Sequence, residues 1–207
     1  MSRLLIKICG LTCEEDLRFC QDMEIDLTGF IFHRPSPRFV EPAIVGDWEK
    51  KKELRAGVFV DQDIAQILEI IDMAGLDLVQ LHGGQTREVC LAAGSGRVIR
   101  VFWPERADSL TEFQAELDSF RDACRFFLFD AGKEAGGHGR GISSPWFRQV
   151  QCPGPFFLAG GLGPHNVEAV SGMGMAGLDL NSGVEKKPGQ KDRDKIRSVL
   201  NIVRRKI

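Results

Sequence analysis

Eight short apolar runs punctuate the chain, at residues 4–9, 27–32, 55–60, 78–82, 98–102, 126–130, 156–159 and 177–180. Most are apolar at successive positions rather than alternating. That is the pattern of strands covered on both faces of a parallel sheet. Amphipathic segments lie between them. Ile64, Ile67, Leu68 and Ile71 recur at helical spacing behind Asp61 and Asp63, as the inward stripe of a surface helix does. Leu110, Phe113, Leu117 and Phe120 repeat the spacing, and Ile196, Val199, Leu200 and Val203 form a last helix after Asp192. Thr12-Cys13-Glu14-Glu15 has the form of a capping box, with Thr12 as N-cap and Glu15 reaching back.

Eight strand–helix units in 207 residues match the arithmetic of a small (β/α)8 barrel, a single TIM barrel of the α/β class. A doubly wound open sheet is the other reading. It is weakened because no GxGxxG follows the first strand. No linker or low-complexity segment divides the chain, so one barrel domain over 1–207 is expected.

Composition narrows the partners. Hydrophobic residues make up 43% and charged residues 27%, as in ordinary soluble globular proteins. A net charge of -2 gives no reason to expect nucleic acid or an anionic membrane surface. The basic clusters at 50–52 and 204–206 have acidic neighbours or sit at the terminus, and read as solvated faces. No apolar run approaches the roughly 18 residues that span a bilayer, and no signal-peptide pattern opens the chain. The reading is a cytoplasmic protein. The six cysteines, at 9, 13, 20, 90, 124 and 152, form no CxxC pair and have no matching histidine spacing. No metal site is therefore expected, and free thiols are.

The chemistry concentrates at strand ends. The first strand ends on Cys9, before Gly10, and the sixth ends on Asp130. In a closed parallel barrel, the C-terminal strand ends surround one pocket. Lys7 lies two residues before Cys9, on the same strand face, where an ammonium favours the thiolate. Asp130 is followed by a Gly-rich stretch, 132–141, placed as a cover over such a pocket. A thiolate base and a carboxylic acid flanking a phosphorylated sugar suit an acid–base isomerisation. Strand seven ends in Ala159-Gly160-Gly161, and strand eight is followed by Asn181-Ser182-Gly183. Barrels often bind phosphate between these two loops. Arg38, in a loop stiffened by Pro35 and Pro37, can pair with a substrate carboxylate. His82, ending strand four, either contacts substrate or orders the rim.

Taken together, several motifs resemble the phosphoribosylanthranilate isomerase family of tryptophan biosynthesis. They are Lys7-Ile8-Cys9-Gly10-Leu11-Thr12, Ser36-Pro37-Arg38, Gln80-Leu81-His82-Gly83, Asp130 with its Gly-rich loop, Ala159-Gly160-Gly161-Leu162 and Asn181-Ser182-Gly183-Val184-Glu185. They run in family order over essentially the whole chain. The resemblance implies a (β/α)8 barrel that performs an Amadori rearrangement without metal or cofactor; the chain itself is expected to be a monomer or homodimer. It implies that Asp130 is the general acid and Cys9 the general base, and that Arg38 holds the anthranilate carboxylate. Asp179 would contact the sugar or anthranilate region, and Gly160, Gly161, Asn181, Ser182 and Gly183 would bind phosphate. Two departures stand out: His138 where the family usually has a small hydroxyl residue, and the added charge of His33 and Arg34. The rivals are a histidine-pathway isomerase, whose family has two aspartates and two phosphate sites, and a non-catalytic phosphate-binding barrel.

Overall fold

The computed structural model describes residues 3–131, 144–170 and 172–204. Its plan follows from side-chain alternation along each strand. In β1 (Leu5–Ile8), Ile6 and Ile8 join the large core between strands and helices. Leu5 instead packs into the barrel interior. Strand β1 is followed by α1 (Glu14–Asp22), β2 (Leu27–Ile31), α2 (Pro42–Asp47), β3 (Leu54–Phe59), α3 (Ile64–Ala74), β4 (Leu78–Leu81) and α4 (Arg87–Ala93). Then come β5 (Val98–Phe102), α5 (Leu110–Ser119), β6 (Phe126–Asp130), β7 (Phe156–Ala159), a one-turn α6 (Val167–Val170) and β8 (Gly177–Leu180). The chain ends with a hairpin of β9 (Glu185–Lys187) and β10 (Gln190–Lys191), and then α7 (Arg193–Arg204).

Strands β1 to β8 form a closed barrel in sequence order, all parallel, so the expected fold is the observed one. Closure pairs β1 with β8 and sets Lys7 level with Asp179. Leu27, Ala56, Leu78, Ile99, Val101, Phe126, Leu128 and Phe157 fill the barrel interior. Cys9, Ile31 and Val58 form a smaller apolar cluster at the strands' C-terminal ends. Outside the barrel, rings such as Phe102, Phe113 and Phe129 are fully buried, each contributing about 1.5–3 kcal/mol by removal from water. Among the described residues, no helix is long and apolar enough to cross a membrane.

Two local expectations are corrected. Helix α1 starts one residue later than expected, with Cys13 as N-cap and no side-chain cap bond. The Thr12 hydroxyl instead donates to the Gly189 carbonyl at 2.6 Å, a tertiary partner that outcompetes the local one. A capping box does form at α3, between Asp63 and Gln66. In that helix Ile67 and Ile71 are buried, but Leu68 is exposed, because the apolar stripe is one residue narrower than the sequence pattern.

Candidate active site

A cavity of about 260 Å³ opens at the C-terminal ends of the strands. Cys9, Arg38, His82, Asp130 and Asp179 all line it, as do Gly160, Gly161, Asn181 and Ser182. The barrel thus brings together residues that lie far apart in the chain. Gly183 is the one expected site residue that does not line the cavity. The Gly-rich stretch 132–141, including His138, lies outside the described residues.

The thiol sits beside a buried ion pair. Lys7 Nζ donates to both Asp179 oxygens, at 2.9 and 3.0 Å, and its side chain has no solvent exposure. Burial alone would lower the Lys7 pKa, but the charges of Asp179 and Cys9 outweigh it and hold the ammonium above its ordinary range. Burial pushes the Cys9 thiol up more than Lys7 and Lys191 pull it down. The Lys7 ammonium favours the thiolate, as expected, but does not set the balance alone. Desolvation wins because Cys9 is almost fully enclosed. Asp179 faces the cavity with both oxygens engaged by Lys7, so any substrate contact through it must share that pair.

Room for this cluster comes from Gly29 on β2. A Cβ there would stand 2.8 Å from Cys9 Sγ and 3.0 Å from Lys7 Nζ, closer than such atoms tolerate. Gly29→Ala is expected to displace the thiol and cut kcat by about 10²-fold, the scale of a misplaced reactive group. Overpacking should also cost about 1–3 kcal/mol of stability. Steady-state turnover and thermal melting of the variant check both effects. A wild-type rate would mean that the thiol's position is immaterial.

Asp130 enters from β6, three strands round the barrel from β1. His82 Nε2 lies 3.6 Å from Asp130 Oδ2, in electrostatic range but too long for a hydrogen bond. The imidazole packs edge-on against Trp103, with ring centroids 5.4 Å apart. Its Nδ1 is 3.4 Å from Gln80 Nε2. Burial lowers the His82 pKa, partly offset by Asp130 and Asp179, so the site favours the neutral ring. His82 thus both lines the cavity and orders the rim through Gln80 and Trp103.

Arg38 is already bound within the protein. Its backbone N–H donates to Ser36 Oγ at 3.1 Å, which folds the Pro-stiffened loop back on itself. Its Nε and Nη2 grip Glu185 at 2.9 and 2.8 Å. Glu185 also accepts from Lys191 Nζ at 2.8 Å, and Lys191 donates to Asn181 Oδ1 at 2.9 Å. Burial raises the Glu185 pKa, but Arg38 and Lys191 together hold the carboxyl below its usual range. Gly10 makes the close approach possible. Its φ is +73°, and a Cβ would stand 2.9 Å from both Arg38 Cδ and Asn181 Oδ1. Of the two extra charged residues expected near this loop, His33 reaches the cavity and pairs with Asp61 at 3.0 Å. Arg34 pairs with Glu41 at the surface and does not line it.

The β7 and β8 loops pack back to back. Gly160 and Gly161 both have positive φ, +109° and +67°, a conformation that costs glycine little. A Cβ on Gly183 would stand 2.1 Å from the Leu162 carbonyl oxygen, which is why a glycine stands behind the cavity wall. Asn166 ties the β7 loop together. Its Oδ1 accepts from Gly163 N–H at 2.8 Å, and its Nδ2 donates to the Gly161 carbonyl at 3.2 Å. Residues Ser182–Val184 make a single 3-10 turn after Asn181, with Ser182 at its start. Sequence reasoning missed Lys191 and Asn166 altogether and named Glu185 only as part of a motif. Lys191 carries no local signal, whereas Asn166 stands at a recognisable helix-start position.

A closed parallel barrel with a thiol, a carboxylate and two glycine loops around one cavity places the chain in the class of (β/α)8 isomerases. A model of the N-(5'phosphoribosyl)anthranilate (PRA) isomerase family matches residues 6–202. A relative named N-(5'-phosphoribosyl)anthranilate isomerase, from Maridesulfovibrio salexigens, is 45% identical over 194 residues, covering 93% of this chain and 95% of that one. The crystal structure of phosphoribosyl anthranilate isomerase from Thermus thermophilus is 29% identical, with a TM-score of 0.85, and covers 99% of this chain and 100% of its own. A further isomerase structure, in complex with reduced 1-(o-carboxyphenylamino)-1-deoxyribulose 5-phosphate, is 27% identical with a TM-score of 0.79. It covers 97% of this chain and 98% of its own. The chain belongs to the N-(5'-phosphoribosyl)anthranilate isomerase family and is an isomerase of tryptophan biosynthesis.

Proposed function

We propose that Asp130 and Cys9 carry out the Amadori rearrangement of N-(5-phosphoribosyl)anthranilate to 1-(2-carboxyphenylamino)-1-deoxyribulose 5-phosphate. The observation that carries this is their meeting, from β6 and β1, in the cavity that also holds the glycine loops of β7 and β8. Asp130 donates its proton to the ribose ring oxygen, and the C1–O bond breaks. The anthranilate nitrogen supplies the electron pair that forms the iminium. The Cys9 thiolate removes the proton from C2, and that C–H pair becomes the C1–C2 double bond of the enolamine. The enolamine then tautomerises to the C2 ketone. Arg38 holds the anthranilate carboxylate, with His82 and Asp179 lining the sugar. Backbone at Gly160, Gly161, Ser182 and Gly183, with Asn181, takes the phosphate.

The chain works as one barrel domain in the cytoplasm, as a monomer or homodimer, on this phosphorylated sugar–anthranilate molecule. Neither nucleic acid nor membrane is a partner. The test is loss of anthranilate-type fluorescence when the protein meets freshly made substrate, followed in the presence and absence of a chelator. Rapid protein-dependent loss, unchanged by the chelator, is the expected result. Loss no faster than spontaneous decay would overturn the reading.

The same assay reads the base. With the Cys9 thiol held above its ordinary value, the thiolate fraction is small at neutral pH and grows about tenfold per pH unit below the thiol's pKa. The scarce thiolate is correspondingly the stronger base. We expect kcat/KM to climb with pH from about 6 to 8 as the thiolate fraction grows. A flat profile across this span would point to a base other than Cys9.

A further inference from the structure

A cluster of buried charges outside the cavity wall sits under the β9–β10 hairpin. The Lys191 side chain has no solvent exposure, and Lys191 is not among the residues that line the cavity. It nevertheless bonds one residue that lines the cavity and one that holds another lining residue. Its Nζ bonds Asn181, at the start of the β8 loop, and Glu185, which grips Arg38 from the β2 loop. Two ligand-facing groups on different loops are therefore tied to one ammonium.

The hairpin is built to hold that ammonium in place. Gly189 turns the chain at φ +81°, and a Cβ there would stand 3.2 Å from the Pro37 carbonyl, so the turn lies against the Arg38 loop. The Gly189 carbonyl accepts from Thr12, and its N–H donates to Glu185 at 3.1 Å. Lys191 N–H donates to Asp16 at 3.3 Å, and Lys195 Nζ bonds the Glu185 carbonyl at 2.8 Å. A buried ion pair is weak evidence for stability, since an apolar side chain of similar size usually serves as well. Burial lowers the Lys191 pKa, although Glu185 counteracts this. What the lysine adds is charge and geometry. Arg38 and Glu185 alone would be neutral, whereas two cations against one carboxylate leave the cluster net positive.

We propose that Lys191 is a positioning residue of the isomerisation: through Glu185 and Asn181 it fixes Arg38 and the start of the phosphate loop, and gives that cluster the net positive charge that a carboxylate- and phosphate-bearing substrate requires. The inference rests on the isomerase reading of the same cavity. Lys191→Met should fold, because Glu185 keeps Arg38 and the Gly189 N–H as partners. In Lys191→Met, KM should rise about tenfold or more, a loss of one strong charged contact, while kcat stays within about threefold. Lys191→Arg, which keeps charge and donors, should recover most of the KM. Calorimetric titration with inorganic phosphate, which needs no turnover, should show the same weakening in Lys191→Met. Should that variant not fold, Lys191→Gln carries the same expectation for KM and for phosphate. Unchanged KM and phosphate affinity in a folded variant would overturn the proposal, as would a fall confined to kcat. A wild-type protein without turnover would instead defeat the isomerase reading, leaving the phosphate titration to judge Lys191.

Discussion

Asp130→Asn is expected to lower kcat by about 10³-fold, within the range that one proton-transferring side chain contributes. The amide keeps the shape of the carboxyl but has no acidic proton to give to the ribose ring oxygen, so ring opening stalls. Binding should survive, because the groups proposed to hold the two ends of the substrate lie on other loops. The affinity for inorganic phosphate should stay within about threefold, since those contacts do not involve the carboxyl. The asparagine also removes the negative charge that supports the His82 proton at 3.6 Å. The His82 pKa should therefore fall further below its ordinary value, which NMR titration of the ring can follow. A variant that retains the wild-type rate would show that another group protonates the ring oxygen.

Cys9→Ser should cost on the order of 10²-fold or more in kcat, the usual scale for losing a general base. A serine hydroxyl is far less acidic than a thiol, so even beside Lys7 it supplies almost no oxyanion. The substitution leaves the Lys7–Asp179 pair intact, and folding should change little. The rise of kcat/KM with pH expected for the native protein should also disappear, because the titrating thiol is gone. Stopped-flow fluorescence across the pH range reads both effects together. Full activity in Cys9→Ser would reassign the base, and Lys7 and Asp179 would be the first groups to examine.

The fold was legible because burial on both faces leaves a simple trace. Strands such as Phe126–Asp130 are apolar at nearly every position, since one face meets the barrel interior and the other meets the helices. The two groups proposed to move protons were legible for a related reason. Cys9 and Asp130 are the positions where apolar strands stop, and strand ends of one barrel share one mouth. The first helix cap was misread because Thr12 had a second suitor, the Gly189 carbonyl 177 residues away. Leu68 was misread because periodicity marks a stripe without giving its width.

By itself, the chain's pattern determined the barrel, its strand order, and the set of residues that could meet at its mouth. These follow from local periodicity and from the few ways parallel strands can close. Only the tertiary structure decided what state those residues are in. Lys7 finds Asp179 across 172 positions, and the enclosure of Cys9 outweighs the pull of Lys7 and holds the thiol above its ordinary value. Lys191 reaches Asn181 and Glu185 because a hairpin folds back over the loops. Desolvation and long-range pairing depend on which surfaces end up facing each other, and no window of neighbouring residues contains that information.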